Sequence, residues 1–248
     1  MGIYKSIEKR INWAANVEFD TATGFFRYKR FGDYIYIRHP RHFLKKQDLL
    51  WLCEKVFFHY YRPSNTDVVV DLGAGYGEET AYIATDSPEV RYIGVEPQPV
   101  IYECLANTYR HLGKNFTASP YVISDRDMVK FISQFSYASV GEIPEGYIEV
   151  PTMKWETFLQ RYNIDRIDLF KMNIEGAEKE ILQHIDDFSF IRRFIISCHD
   201  FRANNNEGEW YRTKEVVLSI LKQNGYSIKT FSHGINWADD WIYAEMNE

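Results

Sequence analysis

Apolar and polar positions change their pattern near residue 66. Before it, Ile3, Ile7 and Ile11 recur at helical spacing. An aromatic stretch, Phe25-Phe26-Arg27-Tyr28, is followed by Phe31-Gly32-Asp33 and Tyr34-Ile35-Tyr36-Ile37. This predicts a hairpin of two short strands about a Gly-Asp turn. Leu49, Leu50, Leu52, Cys53, Val56 and Phe57 supply the apolar stripe of a following helix, and Arg62-Pro63-Ser64-Asn65 breaks it.

From Asp67 strands and helices alternate. Val68-Val69-Val70 is an unbroken apolar run, as a strand buried on both faces requires. A Gly-rich turn and a helix through Ala81 and Ile83 follow, then a strand over 91–95. Ile101, Leu105 and Leu112 mark the next helix, and 120–123 reads as a third strand. Residues 133–147 read as a loop excursion, and Thr152 as the cap of a helix carrying Trp155, Phe158 and Leu159. Fourth and fifth strands are expected over 167–172 and 193–197, with a helix over 177–185 between them. A last helix carries Val217, Ile220 and Leu221 and closes at Gly225. Residues 228–231 and 241–245 then pair as a closing antiparallel hairpin. The expected fold is α/β and Rossmann-like, a mostly parallel seven-stranded sheet with helices on both faces. Residues 1–66 are expected to form an N-terminal extension, or cap, on a domain over 67–248. Ligands in such sheets bind beyond the C-terminal strand ends, near the switch in strand order.

Composition narrows the class. A chain of 248 residues, 45% hydrophobic, can bury a substantial core and is not wholly disordered. It has 29 Lys and Arg against 35 Asp and Glu, a net charge of −6. That balance argues against broad, phosphate-driven binding, and no nucleic-acid partner is expected. No apolar run nears the roughly 18 residues of a membrane helix. The opening residues mix charge and polarity, so no secretory signal is expected. Cys53, Cys104 and Cys198 lie far apart without zinc spacing, which suits a reducing compartment; the expected location is cytoplasmic.

The sharpest chemical signal is Asp71-Leu72-Gly73-Ala74-Gly75-Tyr76-Gly77, between the first buried strand and a helix. Glycines there allow a tight turn and close approach to a ligand. A dinucleotide fingerprint would put its third glycine at position 78, which is Glu78. A carboxylate at Asp71 would repel a pyrophosphate but suit a ligand bearing an ammonium and a sulfonium. This favours S-adenosylmethionine over a nicotinamide dinucleotide. In Gly94-Val95-Glu96-Pro97, Glu96 ends the second strand, where a carboxylate can take both ribose hydroxyls. Ser124-Asp125 could meet the adenine edge or form an ordinary turn.

These motifs, together with Pro151-Thr152-Met153-Lys154-Trp155 and above all Lys171-Met172-Asn173-Ile174-Glu175-Gly176-Ala177-Glu178, resemble the FkbM-type methyltransferases. The resemblance runs over residues 66–200. It implies a class I S-adenosylmethionine-dependent enzyme, with O-methylation of a hydroxyl on a sugar, a polysaccharide precursor or a related small molecule. That family usually has Asp where this chain has Asn173, which keeps a hydrogen-bonding oxygen but loses the charge. The cofactor residues expected on this reading are Asp71, Gly73, Ala74, Gly75, Thr80, Glu96, Pro97, Ser124, Asp125 and Asn173.

Transfer to a hydroxyl needs a group to take its proton and groups to hold it in line. The ends of the fourth and fifth strands offer Lys171 and Glu175, and His199 with Asp200. His199 has the pKa best suited to a base near neutrality, or it bonds only to its own loop. Lys171 could stabilise an alkoxide or bind an anionic substrate group, or it pairs with Glu175. Glu175 could orient the hydroxyl, or simply favour a helix start. The expected catalytic set is His199, Lys171 and Glu175. Glu175, Asn173, His199 and Asp200 could hold magnesium, but nothing in the spacing demands a metal, and none is favoured. The basic run Arg38-His39-Pro40-Arg41-His42 with Lys45-Lys46 could touch an anionic substrate or form a solvated face. Two other functions stay open: methylation of protein or RNA, and a non-catalytic domain that binds the cofactor as a scaffold.

Overall fold

The computed structural model describes residues 13, 15–126, 128–132 and 147–247. The amphipathic start at Ile3, Ile7 and Ile11 and most of the 133–147 excursion lie outside them. The N-terminal extension is an antiparallel meander of β1 (Glu18–Asp20), β2 (Phe25–Arg30) and β3 (Asp33–Ile37). Strand β1 carries no alternating apolar signal and was not expected. Arg30 pairs with Asp33, so the two-residue turn is Phe31-Gly32, one position earlier than expected. Both turn residues are left-handed, at φ 51° and 101°, which matches the twist of the flanking strands. Helix α1 (Lys46–Leu52) runs on through a wider turn over Cys53–Phe57.

The main sheet orders its strands β12-β13-β11-β10-β4-β5-β6. Strands β4 (Val68–Leu72), β5 (Arg91–Val95), β6 (Phe116–Ser119), β10 (Leu169–Met172) and β11 (Arg193–Ser197) are parallel. Strands β12 (Tyr226–Thr230) and β13 (Trp241–Met246) form the antiparallel end. The third sheet strand is thus β6, not 120–123. Pro120 lacks the N–H a ladder needs and ends it. The apolar run beyond it supplies β7 (Val122–Ile123), which pairs with β9 (Tyr147–Met153) in a small sheet with β8 (Met128–Ile132). Thr152 lies within β9, opposite Val122. The residue before the helix start is Lys154, not Thr152.

Alternate strand residues go to two cores. Val68, Val70, Leu72, Phe170, Met172 and Ile196 face α4 (Trp155–Arg161), α5 (Glu178–Gln183) and α7 (Lys214–Gln223), with the short α6 (Asp200–Asn204) between the last two in sequence. Val69, Tyr92, Leu169, Ile195 and Tyr243 face α1, α2 (Glu78–Asp86) and α3 (Pro99–Leu112). The meander joins this second layer from outside: Tyr28, Ile35 and Ile37 pack on Ala81, Ile101 and Cys104 of α2 and α3. On the edge strand β3 the Tyr36 amide donates to the Thr108 hydroxyl of α3 at 3.0 Å, satisfying a buried donor. Among the described residues, no helix is long and apolar enough to cross a membrane.

Candidate functional site

A cavity of about 430 Å³ opens at the C-terminal ends of β4, β5 and β10. Its floor is the loop after β4. The Gly73 and Ala74 amides both donate to the Val95 carbonyl, at 2.9 and 3.1 Å, which folds the loop back over β5. Gly73 sits at φ 84°, and a Cβ there would lie 2.2 Å from the Asn173 carbonyl oxygen. Only glycine lets this loop touch the one after β10. At Gly75 a Cβ would meet nothing within 4 Å, so the backbone is open toward a ligand.

Glu96 is the fixed carboxylate of the cavity. One oxygen accepts from the Gly75 amide at 3.2 Å, the other from the Gln98 amide at 2.9 Å. Burial pushes its pKa up to about 7 against those two bonds. Among the described residues no cation pairs with it. Gly73, Ala74, Gly75, Pro97, Ser124 and Asn173 line the same cavity. Three expected cofactor residues do not line it. The Thr80 hydroxyl is buried against that of Tyr109 at 2.9 Å, on the inner face of α2. Asp125 is exposed and faces His184 at 3.1 Å. Asp71 is fully buried in the sheet.

The parallel register explains Asp71. It pairs Asp71 of β4 with Lys171 of β10 and Gly94 of β5, so Asp71 and Lys171 emerge on one face. Lys171 Nζ lies 2.8 Å from Asp71 and 2.9 Å from Glu79 in the first turn of α2, with the Phe57 ring 5.2 Å away. The Tyr92 hydroxyl donates to the other Asp71 oxygen at 2.8 Å. Burial opposes the lysine charge, but the two carboxylates outweigh it and hold its pKa above the ordinary value. Neither expectation for Lys171 therefore describes its place. It meets neither the open crevice nor Glu175, because its face of the sheet is roofed by α1 and α2. Glu79, its partner, reaches the cavity wall beside Glu78. Burial pushes Glu78 up to about 7, and the Tyr28 hydroxyl donates to it at 3.2 Å.

The loops after β10 and β11 meet in a charged network. Glu175 borders the cavity from a left-handed backbone, φ 57°. One of its oxygens pairs with Arg202, the other faces His199 Nε2 at 3.6 Å. His199 Nδ1 is 2.9 Å from Glu178, whose second oxygen accepts from the Thr213 hydroxyl at 3.3 Å. Arg202 also lies over the Tyr211 ring, 4.1 Å from its centre. Burial disfavours the imidazolium, but Glu178 and Glu175 together raise the His199 pKa. His199 is buried behind Glu175, with Nδ1 bonded to Glu178 and Nε2 3.4 Å from the Ser197 hydroxyl. Asp200 points elsewhere, accepting the Thr213 and Lys214 amides at the start of α7, at 2.9 and 3.0 Å. Of the residues considered for magnesium, Asp200 is thus engaged away from Glu175 and His199. Among the described residues, no group of three or more His, Cys, Asp or Glu is arranged to hold a metal. The sequence assigned no site role to Glu178, Arg202, Tyr76, Glu78 or Glu79. For the two glutamates after the glycines, the signal was their place in the first turn of the helix.

A family model described as Methyltransferase FkbM domain matches residues 71–228. The AMB antimetabolite synthetase AmbE of Pseudomonas aeruginosa is 20% identical over 205 residues, covering 65% of this chain and 10% of that protein. The chain therefore spans a tenth of that relative's length. The O-methyltransferase from Bacillus cereus, solved in complex with SAH, superposes with a TM-score of 0.51 at 10% identity, covering 83% of each chain. Cofactor-bound Rv0187 from MTB gives 0.52 at 13% identity, covering 84% of each. At these identities the likeness is one of fold, that of the class I methyltransferases.

Proposed function

The chain belongs to the methyltransferase FkbM family, and from that premise we propose that the crevice binds S-adenosylmethionine for O-methylation of a small acceptor. The acceptor hydroxyl belongs to a sugar, a polysaccharide precursor or a related small molecule. The observation that carries the reading is Glu96, a buried carboxylate fixed by two amides on the wall of a ligand-sized cavity and paired with no cation among the described residues. Its remaining lone pairs suit the two hydroxyls of a ribose. The acidic wall of Glu78, Glu79 and Glu175 suits a positively charged ligand. A small acceptor is supported by the roof: Phe43, Leu44, Leu49 and Leu52 of the N-terminal extension close over the cavity. We extend the proposal to that segment, residues 1–66, as the part that selects the acceptor.

When bound, the cofactor supplies a methyl group made electrophilic by its sulfonium. Glu175 is the residue we assign to the acceptor: it accepts the hydrogen bond of the hydroxyl and takes its proton as the oxygen becomes the nucleophile. Arg202 and His199 hold that carboxylate in place. His199 acts as a positioning residue through Glu175, and Lys171 acts from below by holding the Asp71 and Glu79 carboxylates in place.

The test is transfer of tritium from methyl-labelled S-adenosylmethionine into pools of sugar nucleotides and small alcohols, run beside peptide and RNA pools. Label in the small-molecule pools is expected; label confined to peptide or RNA overturns the acceptor class. Binding without transfer to any pool favours the scaffold alternative.

A pH dependence follows from Glu96. With its pKa at about 7 in the ligand-free protein, the group is protonated below that value, and a proton must leave before it can accept two hydroxyls. S-Adenosylhomocysteine should bind roughly tenfold more weakly at pH 6 than at pH 8, with proton release on binding. Glu78 would add in the same direction. Calorimetry in two buffers of different ionisation enthalpy measures this. In Glu96→Gln the affinity should fall by about 10- to 100-fold and lose most of its pH dependence. Unchanged affinity and slope would remove Glu96 from the site.

A further inference from the structure

The crevice has a second wall of opposite character. The basic run after β3 turns at Pro40–His42, and Arg41, His42 and Tyr76 line the cavity together. Arg41 Nε lies 3.2 Å from His42 Nε2. An arginine nitrogen only donates, so His42 Nε2 accepts. Burial, then the charges of Arg41, His39 and Arg38, push the His42 pKa down to about 4. The ring is therefore neutral near pH 7 and carries its one proton on Nδ1. Nδ1 donates to the Tyr76 hydroxyl oxygen, 2.9 Å away, and the two rings stack at 5.2 Å. With its oxygen accepting, the Tyr76 hydroxyl keeps a hydrogen to give, and burial keeps the phenol protonated. At the other end, Arg41 uses only Nε; its two terminal nitrogens meet no acceptor among the described residues. The relay thus presents a guanidinium and a hydroxyl donor to one cavity, on rings locked against each other.

We propose that Arg41, His42 and Tyr76 form an anion subsite that holds the carboxylate at the amino-acid end of the cofactor. The inference rests on the cofactor reading above. Its position supports that occupant. Tyr76 directly follows Gly75, whose amide fixes Glu96, and Arg41, His42 and Tyr76 line the same cavity as that carboxylate. An adenosyl amino acid carries its carboxylate at the far end from the ribose hydroxyls, and its ammonium suits the adjoining Glu78 and Glu79. A guanidinium with a neighbouring hydroxyl is well matched to a carboxylate.

The test compares two ligands by calorimetry. S-Adenosylhomocysteine carries the carboxylate; 5′-methylthioadenosine has the same nucleoside without the amino acid. Arg41→Gln should weaken S-adenosylhomocysteine by about 10- to 100-fold and leave methylthioadenosine within about twofold. Tyr76→Phe keeps the ring stack and removes only the hydroxyl, and should weaken the first ligand by about fivefold with no effect on the second. Equal losses for both ligands, or none for either, overturn the subsite. If the unaltered protein binds neither ligand, the cofactor reading itself fails, which is a different result.

Discussion

Glu175→Gln is expected to lower kcat by roughly 100- to 10,000-fold, the span of general-base contributions. The amide keeps the size of the side chain and an oxygen for Arg202, but it cannot take a proton. Glu175 borders the cavity while His199 and Arg202 stand behind it, so the loss should fall on turnover. Affinity for S-adenosylhomocysteine should stay within about threefold, because Glu96 and the glycine loop hold the nucleoside at the other strand end. Single-turnover transfer of labelled methyl, beside calorimetry, separates the two. A variant with full turnover would show that the hydroxyl loses its proton to another group. Such a large effect is expected because the carboxylate is positioned before any ligand arrives. Its backbone is left-handed, and Gly176 follows it at φ 103°. Two charged partners then hold the side chain.

Lys171→Met should destabilise the protein by about 3–5 kcal/mol, the cost of removing one partner from a buried ion pair. Methionine fills a similar volume against Phe57, so the loss is electrostatic. Asp71 and Glu79 would be left as buried carboxylates with no counter-charge, and Asp71, whose pKa burial already raises, would take up a proton more readily than before. The deficit should therefore be greatest at high pH and shrink as pH falls and Asp71 protonates. Urea unfolding at two pH values measures it. Adding Asp71→Asn should recover part of the loss, since it removes one of the two stranded charges. A loss below about 1 kcal/mol would mean that water reaches the site and screens it.

Features set by neighbours in sequence were readable in the chain itself. The strand at Val68–Leu72, the glycine turn after it and the carboxylate at the end of β5 depend on local apolar runs and turn residues. Features set by register or by layer contacts were not. Asp71 and Lys171 stand 100 positions apart, and only the pairing of β4 with β10 reveals that they share a face. His199 looked like a base because histidine titrates near neutrality, yet Glu178 and Glu175 raise its pKa, and its nitrogens meet Glu178 and the Ser197 hydroxyl. That arrangement needs two loops to meet, which no spacing encodes. His42 and Tyr76, 34 positions apart, belong to different layers and escape notice for the same reason. The strand expected at 120–123 failed on a single residue. Pro120 ends the ladder, while the half-polar Phe116–Ser119, an edge strand of the main sheet, carries too weak a pattern to stand out.

The meander laid on α2 and α3 has a practical consequence. The stretch that matches the family begins at residue 71, but the greasy flank of those helices is covered by side chains from residues 28–37. The family-matched stretch and the length that buries those helices are therefore two different lengths of polypeptide. Without this arm Ala81, Ile101 and Cys104 would face water, so cutting the chain at residue 71 should cost solubility as well as stability.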